Sequence, residues 1–258
     1  MFDLTGRTIF VAGGAGHLGR PICDAIAQHG ARVFIADMSQ ERLYAAIGQV
    51  REKFGADAAD GIVFNIGDEG SIDTAIAACT ARYGAFDGLV NATFGSTGKP
   101  FDDLTAADFD HANRLNLTGS FLLARKAAAQ MTGPGSIVMF ASMYGLVAPN
   151  PSNYPQGMTP NPIEYGAGKA GLAQMTRYMA GHFGPRAIRV NAVAPGPYPN
   201  PSVVATYPDF IDNLSRSNML GRIGEAHETA GPVVFLLSQA SSYITGQVLS
   251  VDGGWTSW

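Results

Sequence analysis

Charge is scarce in this chain. Asp, Glu, Lys and Arg make up only 15% of its 258 residues, and the formal net charge is -4. No stretch gathers basic residues, and no run of like charge occurs. A surface that tracks a phosphate backbone needs such a cluster, so nucleic acid is not an expected partner. Cysteine is nearly absent: Cys23 and Cys79 are the only two. Both fall in stretches with amphipathic helical spacing, which reads as buried free thiols rather than a disulfide framework or a metal site. No apolar run is long enough to cross a bilayer; 233–237 and 25–27 are short and flanked by polar residues. Met1-Phe2-Asp3-Leu4 lacks the basic and apolar regions of a signal peptide. These absences lead to the expectation of a soluble, cytoplasmic chain with no membrane and no metal among its partners.

What the chain does have is 46% apolar residues, laid out in an alternating rhythm. Residues 6–12 (GRTIFVA), 31–37 (ARVFIAD), 61–65, 86–91, 135–141, 188–193 and 247–251 read as strands. Residues 18–29, 40–54, 69–83, 106–131, 164–183 and 225–238 read as helices. The strands are near-continuous apolar runs rather than alternating ones, the mark of a parallel sheet covered on both faces. The alternation predicts an α/β chain: one Rossmann-like domain over 1–258, a doubly wound parallel sheet of about seven strands with helices on both faces. Two stretches rich in proline and glycine, 149–162 and 195–208, fall where such a sheet needs loops over its active edge. The substrate loops are accordingly expected at 143–163 and 197–219.

Gly14-Ala15-Gly16-His17-Leu18-Gly19 fits GxGxxG and lies between the first strand and the first helix. Glycines there let the backbone approach a pyrophosphate, which the helix N-terminus then binds with free N–H groups and a positive dipole end. Asp37 ends the second strand, 18 positions past Gly19. A carboxylate at that point accepts hydrogen bonds from both ribose hydroxyls and repels a 2′-phosphate. Met38 and Ser39 follow it with no arginine alongside, so the expected cofactor is NAD rather than NADP. Further on, Tyr165-Gly-Ala-Gly-Lys169 sets a phenol and an ammonium one helical turn apart. A cation beside a phenol favours phenolate, so Lys169 is expected to lower the Tyr165 pKa. Ser142 follows the fifth strand, where its hydroxyl could polarise a carbonyl oxygen.

With these residues in order, the chain resembles the short-chain dehydrogenase/reductase family over essentially its whole length. The cofactor turn is 13–19. Leu89-Val90-Asn91-Ala92 is similar to the family's fourth-strand NNAG element. Asn116-Leu117-Thr118-Gly119 matches the helix element with the catalytic asparagine, and Ser142, Tyr165 and Lys169 match the other three of the tetrad. Asn191-Ala192-Val193-Ala194-Pro195-Gly196 matches the sixth-strand turn. Tyr243-Ile244-Thr245-Gly246, then Val251-Asp252-Gly253-Gly254, matches the C-terminal strand region of the compact branch. The resemblance implies Tyr165 as general acid/base and Lys169 as the group that lowers its pKa and holds the nicotinamide ribose. It implies Ser142 as the orienter of the substrate oxygen, and Asn116 as the holder of a water linking Lys169 to solvent. Cofactor contacts are implied at Gly13, Gly16, Leu18, Gly19, Asp37, Asn65, Ile66, Asn91, Tyr165, Lys169, Pro195 and Gly196. The implied activity is hydride transfer between NAD and a small alcohol or carbonyl substrate. The implied assembly is a homotetramer, or failing that a dimer, with the aromatic tail Gly254-Trp255-Thr256-Ser257-Trp258 at a subunit boundary.

Several positions depart from the family pattern. Ala12 replaces the usual threonine before the turn, and His17 takes the place of the middle glycine, where it reads as a solvent-facing first-turn residue. The turn GGAGHLG resembles that of the extended branch, with its nucleotide-sugar epimerases and dehydratases. The chain ends at Trp258, without a further region to hold a nucleotide diphosphate, which weighs against that alternative. A non-catalytic NAD-binding scaffold is the other alternative; the intact tetrad weighs against it. The NNAG element is degraded to Asn91-Ala92-Thr93-Phe94, and Ser142 and Tyr165 lie 23 residues apart, longer than usual in the compact branch. The substrate loops are rich in neutral polar groups, among them Asn150, Ser152, Asn153, Asn161, Asn200 and Asn213. They suggest a small polar alcohol or ketone such as a sugar or polyol.

Overall fold

Strand β1 (Thr8–Ala12) is buried at every residue, and so are β4 (Gly88–Asn91) and β5 (Gly135–Phe140). Apolar side chains on both faces of a strand demand cover on both faces. The computed structural model, which describes all 258 residues, provides it. Its seven strands, with β2 (Arg32–Asp37), β3 (Ala59–Val63), β6 (Ile188–Pro195) and β7 (Val248–Val251), form one sheet in the order β3-β2-β1-β4-β5-β6-β7. Every pairing is parallel. One face is covered by α1 (Gly19–Gln28), α2 (Gln40–Phe54) and α9 (Ala230–Leu237), through residues such as Ile22, Leu43 and Leu237. The other face is covered by α3 (Glu69–Tyr83), α5 (Ser120–Gln130) and α6 (Ile163–Phe183), through Ile72, Leu123 and Leu172. The order reverses between β1 and β4, and a crevice opens there at the strand C-termini. No helix is long and apolar enough to cross a membrane, and the two cysteines are buried and free.

Three elements differ from the sequence expectation. Strand β3 starts two residues earlier and ends at Val63. Gly61 belongs in its middle because a Cβ there would stand 2.1 Å from Ile35 O. Asn65 has left the sheet: its side chain closes a turn by accepting from Gly67 N (2.9 Å). The single helix expected over 106–131 is three pieces. Helix α4 (Ala106–Asn113) is followed by a π-helical segment, Arg114–Gly119, and then α5. The wide turn carries Asn116 inward and brings Gly119 against Ile66, where a Cβ would meet Ile66 O at 2.3 Å. The segment 197–219, expected as loop, contains α7 (Pro201–Thr206) and α8 (Pro208–Arg216). The tail folds onto its own chain at Trp255, which is buried with Met143, Tyr144 and Leu214, while Trp258 stays 75% exposed.

Candidate active site

The crevice has two connected ends. At one end, α1 starts without a side-chain cap and with no acidic residue in its first turn. Its first N–H groups and positive dipole end are left for an anion, as a pyrophosphate requires. Gly13, at φ +76°, packs so closely on Ala92 that a Cβ would lie 2.9 Å from its carbonyl carbon and oxygen. Beyond the turn, a cavity of about 500 Å³ is lined by Gly13, Gly16, Asp37, Asn65 and Ile66. Asp37 is fixed by backbone donors: Ala15 N reaches Oδ2 at 3.2 Å and Ser39 N reaches Oδ1 at 3.1 Å. The residues present therefore fit the adenosine half of a dinucleotide.

One expectation at this end is corrected. No arginine adjoins Asp37 in sequence, but Arg42, on the first turn of α2, brings Nη2 to 3.4 Å from Oδ1 and lines the same cavity. His111 and Arg114 line it as well. A guanidinium on the Asp37 carboxylate, in a cavity with two further basic side chains on its lining, weakens the electrostatic case against a 2′-phosphate. His17 is half-buried rather than freely solvated, and burial lowers its pKa. Asn91 also departs from expectation: it lines neither end. It donates to Ser120 Oγ (2.8 Å) and accepts from Thr93 Oγ1 (2.7 Å), so its amide is spent within the fold.

At the other end, Ser142, Tyr165 and Lys169 share a cavity of about 280 Å³ with Leu18, Gly19, Pro195 and Gly196. Gly13, Gly16, His17, Ala92, Thr93, Phe94 and Asn200 line both cavities, which joins the two ends. Lys169 is fully enclosed. Its Nζ donates to Phe140 O at 2.6 Å and reaches Thr93 O at 3.4 Å, and burial pulls its pKa down to about 7. Burial pushes the Tyr165 phenol up, and the Ser142 hydroxyl draws it part of the way back. The downward pull expected from Lys169 is not among these influences, because the ammonium is turned toward carbonyl oxygens, with Nζ 5.7 Å from the Tyr165 ring centroid. Asn116 stands behind the cavity. Its Oδ1 accepts from Gly95 N (3.0 Å) and its Nδ2 donates to Gly95 O (2.7 Å), so the side chain grips the backbone of Gly95.

Most of the polar loop residues are engaged with each other. Asn150 caps Ser152. Asn153 is buried and bound by Ser217 and Asn213. Tyr144 and Tyr154 join hydroxyl to hydroxyl at 2.8 Å. Among the loop amides named in the sequence reading, only Asn161 and Asn200 reach the catalytic cavity. Loop backbones must satisfy their own polar groups, and the amides of Asn150 and Asn213 serve that end. Sequence reasoning passed over Phe94 and Ser96, which do line the cavity, as does Tyr198 of the 197–219 loop. A cavity of about 790 Å³ contains none of the tetrad; it lies beside the outer face of α6, bordered by Phe101, Leu146 and Ile163.

A family model described as enoyl-(acyl carrier protein) reductase matches residues 13–256. Levodione reductase of Leifsonia aquatica is 33% identical over 262 residues, covering 97% of this chain and 94% of its own. A 2,5-dichloro-2,5-cyclohexadiene-1,4-diol dehydrogenase of Sphingobium indicum is 32% identical over 271 residues, with 100% of each chain covered. A short-chain dehydrogenase of Leptospira borgpetersenii, solved with bound NAD+, superposes with a TM-score of 0.85 at 28% identity, covering 98% of this chain and 94% of its own. A gluconate 5-dehydrogenase of Burkholderia cenocepacia, solved with NADP and tartrate, superposes with a TM-score of 0.88 at 30% identity, covering 100% and 98%.

Proposed function

This chain belongs to the short-chain dehydrogenase/reductase family, and on that premise we propose an NAD-dependent oxidoreductase that interconverts a small secondary alcohol and its ketone. The observation that carries the reading is the meeting of Ser142, Tyr165 and Lys169 in one cavity continuous with the dinucleotide cleft. The cofactor supplies or takes the hydride when bound, and the chain positions the reactants and handles the proton. Tyr165, kept protonated by burial, donates its phenolic proton to the substrate oxygen in the reducing direction and takes it back in the oxidising one. Ser142 Oγ accepts from Tyr144 N at 3.1 Å, which leaves its own O–H free to point at the same oxygen. Lys169 spends N–H groups on Phe140 O and Thr93 O and has a third for the ribose. Its pKa of about 7 lets it pass a proton near neutrality.

The preference for NAD rests on Asp37, which lines the adenosine-end cavity and whose carboxylate would repel a 2′-phosphate there. Arg42 makes that preference one of degree. Assembly as a homotetramer, or failing that a dimer, is supported by the exposed apolar rim Phe101, Leu146, Val147 and Ile163 around the large cavity on α6. Light scattering at micromolar concentration checks it, and a monomer contradicts it. The activity is tested by a panel of sugars, polyols, hydroxy acids, cyclic alcohols and ketones, scored by NADH absorbance. Turnover of none of them, with cofactor bound, would favour a scaffold.

A further inference from the structure

We propose that Phe94 selects the substrate, favouring a compact cyclic secondary alcohol or ketone, and that Glu164 is the positioning residue that holds Phe94 in place. The proposal rests on the alcohol–ketone reading above. Past β4, residues 93–97 are gripped at alternate positions. Lys169 Nζ reaches Thr93 O at 3.4 Å. Asn116 holds Gly95 by both its N–H and its carbonyl. Glu164 Oε1 accepts from Thr97 N at 3.0 Å and from Thr97 Oγ1 at 2.8 Å. The residues between the grips, Phe94 and Ser96, both line the cavity that contains Ser142 and Tyr165.

Phe94 meets the Tyr165 ring edge-on, with centroids 6.4 Å apart and planes at 88°. Yet it remains 68% exposed inside the cleft, a large aromatic surface open to cover by a ligand. Tyr198, which lines the same cavity, lies over Gly224, where a Cβ would sit 2.3 Å from Cε1. That ring cannot be pushed back without moving backbone. The cavity, about 280 Å³ and shared with the nicotinamide end, falls at the small end of ligand pockets. Two aromatic walls in so small a space suit the faces of one ring and exclude a long chain. Ser96 and Asn161 line the same cavity apart from the Ser142–Tyr165 pair, so a second oxygen function on the ring has partners.

Glu164 is fully buried, and its Oε2 has no hydrogen-bond partner. A buried carboxyl oxygen without a partner is destabilising by itself. What it secures is Thr97, and through it the position of Phe94 directly above the residue that follows Glu164 in the chain. The test compares kcat/KM for 1,4-cyclohexanedione with that for 2-decanone in wild type, Phe94→Ala, Phe94→Leu, Glu164→Ala and Glu164→Gln. Wild type should favour the cyclic dione. Phe94→Ala should lower the cyclic-to-linear ratio by about tenfold, chiefly through KM, as loss of one aromatic contact implies. Phe94→Leu should fall between, since it keeps bulk and loses the ring face. Glu164→Ala should move the ratio in the same direction, and Glu164→Gln, whose amide oxygen still accepts from Thr97, should restore it. An unchanged ratio in Phe94→Ala overturns the proposal even if neither Glu164 variant folds. A wild type that reduces neither ketone with NADH or NADPH, nor any compound of the wider panel, overturns the alcohol–ketone reading, and this one with it.

Discussion

The two ends of the crevice are made of different materials. The adenosine end is backbone: a glycine turn folded against Ala92, an uncapped helix start, and one carboxylate held by two amide N–H groups. The catalytic end is buried side chain: Lys169 on Phe140 O, Asn116 on Gly95 and Glu164 on Thr97. A phosphate is recognised by shape and dipole, which local chain geometry provides. Proton transfer needs desolvated groups with shifted pKa values, which only converging elements can enclose. One end is therefore written in consecutive residues and the other in the tertiary fold.

The sharpest way to break the comparison is at the catalytic end. Tyr165→Phe should lower kcat by about a hundredfold or more, as expected for a lost general acid/base, while cofactor affinity stays close to wild type. Steady-state kinetics with NADH titration checks both, and normal turnover removes Tyr165 from the chemistry. A smaller effect belongs to the adenosine end. The wild-type kcat/KM with NAD(H) should exceed that with NADP(H) by at least about tenfold, and Asp37→Ala should narrow the gap. Arg42→Ala should widen it, because the only guanidinium within reach of Asp37 is then gone. Equal rates with both cofactors in wild type would refute this assignment.

That asymmetry also decides how much was legible beforehand. The parallel sheet of seven strands with helices on both faces followed from near-continuous apolar runs alternating with helical spacing. Gly13, Gly16 and Gly19 could be read because a tight turn has few sequence solutions, and Tyr165 and Lys169 because a helix fixes their spacing. The π-helical segment at Arg114–Gly119 left no readable pattern; it accompanies the close approach of Gly119 to Ile66, which is distant in sequence. Arg42 escaped because reach, not adjacency, brings it to Asp37. Phe94 escaped because it looked like a worn copy of a glycine element, whereas its ring stands against Tyr165. The polar loops misled for the opposite reason: the Asn150 amide closes its own turn, and Asn153 accepts from Ser217 at the end of α8.

A subtler test uses pH. Lys169 holds its proton to about pH 7 in the folded chain, against 10.5 for an ordinary lysine. Between those values the unfolded chain binds the proton that the folded one has released, so stability rises with pH. Above pH 9 the trend is opposed, because Cys79, pushed up to about 12, and the buried tyrosines keep protons that the unfolded chain gives up. From roughly pH 7 to pH 9, then, Tm should climb in wild type and climb less in Lys169→Met. Parallel profiles in the two proteins would mean that Lys169 is not the group responsible.

The smallest effect probes whether the grips on residues 93–97 suffice without their outer anchor. The segment runs on to Thr105, which opens α4 with a capping box: Asp108 N donates to Thr105 Oγ1 at 3.2 Å, and Thr105 N donates back to Asp108 Oδ2 at 3.0 Å. Lys99 Nζ joins the same carboxylate oxygen at 2.7 Å. These bonds are solvent-exposed and none touches the catalytic cavity. Thr105→Ala removes the cap and should cost about 1 kcal/mol, as N-cap losses do. For a chain of this size that is a fall in Tm of about 2–4 °C. Because Lys169, Asn116 and Glu164 still hold Thr93, Gly95 and Thr97, the cyclic-to-linear substrate ratio should not move. If calorimetry shows the expected fall and the ratio drops with it, the inner grips are not enough, and the position of Phe94 depends on how α4 begins.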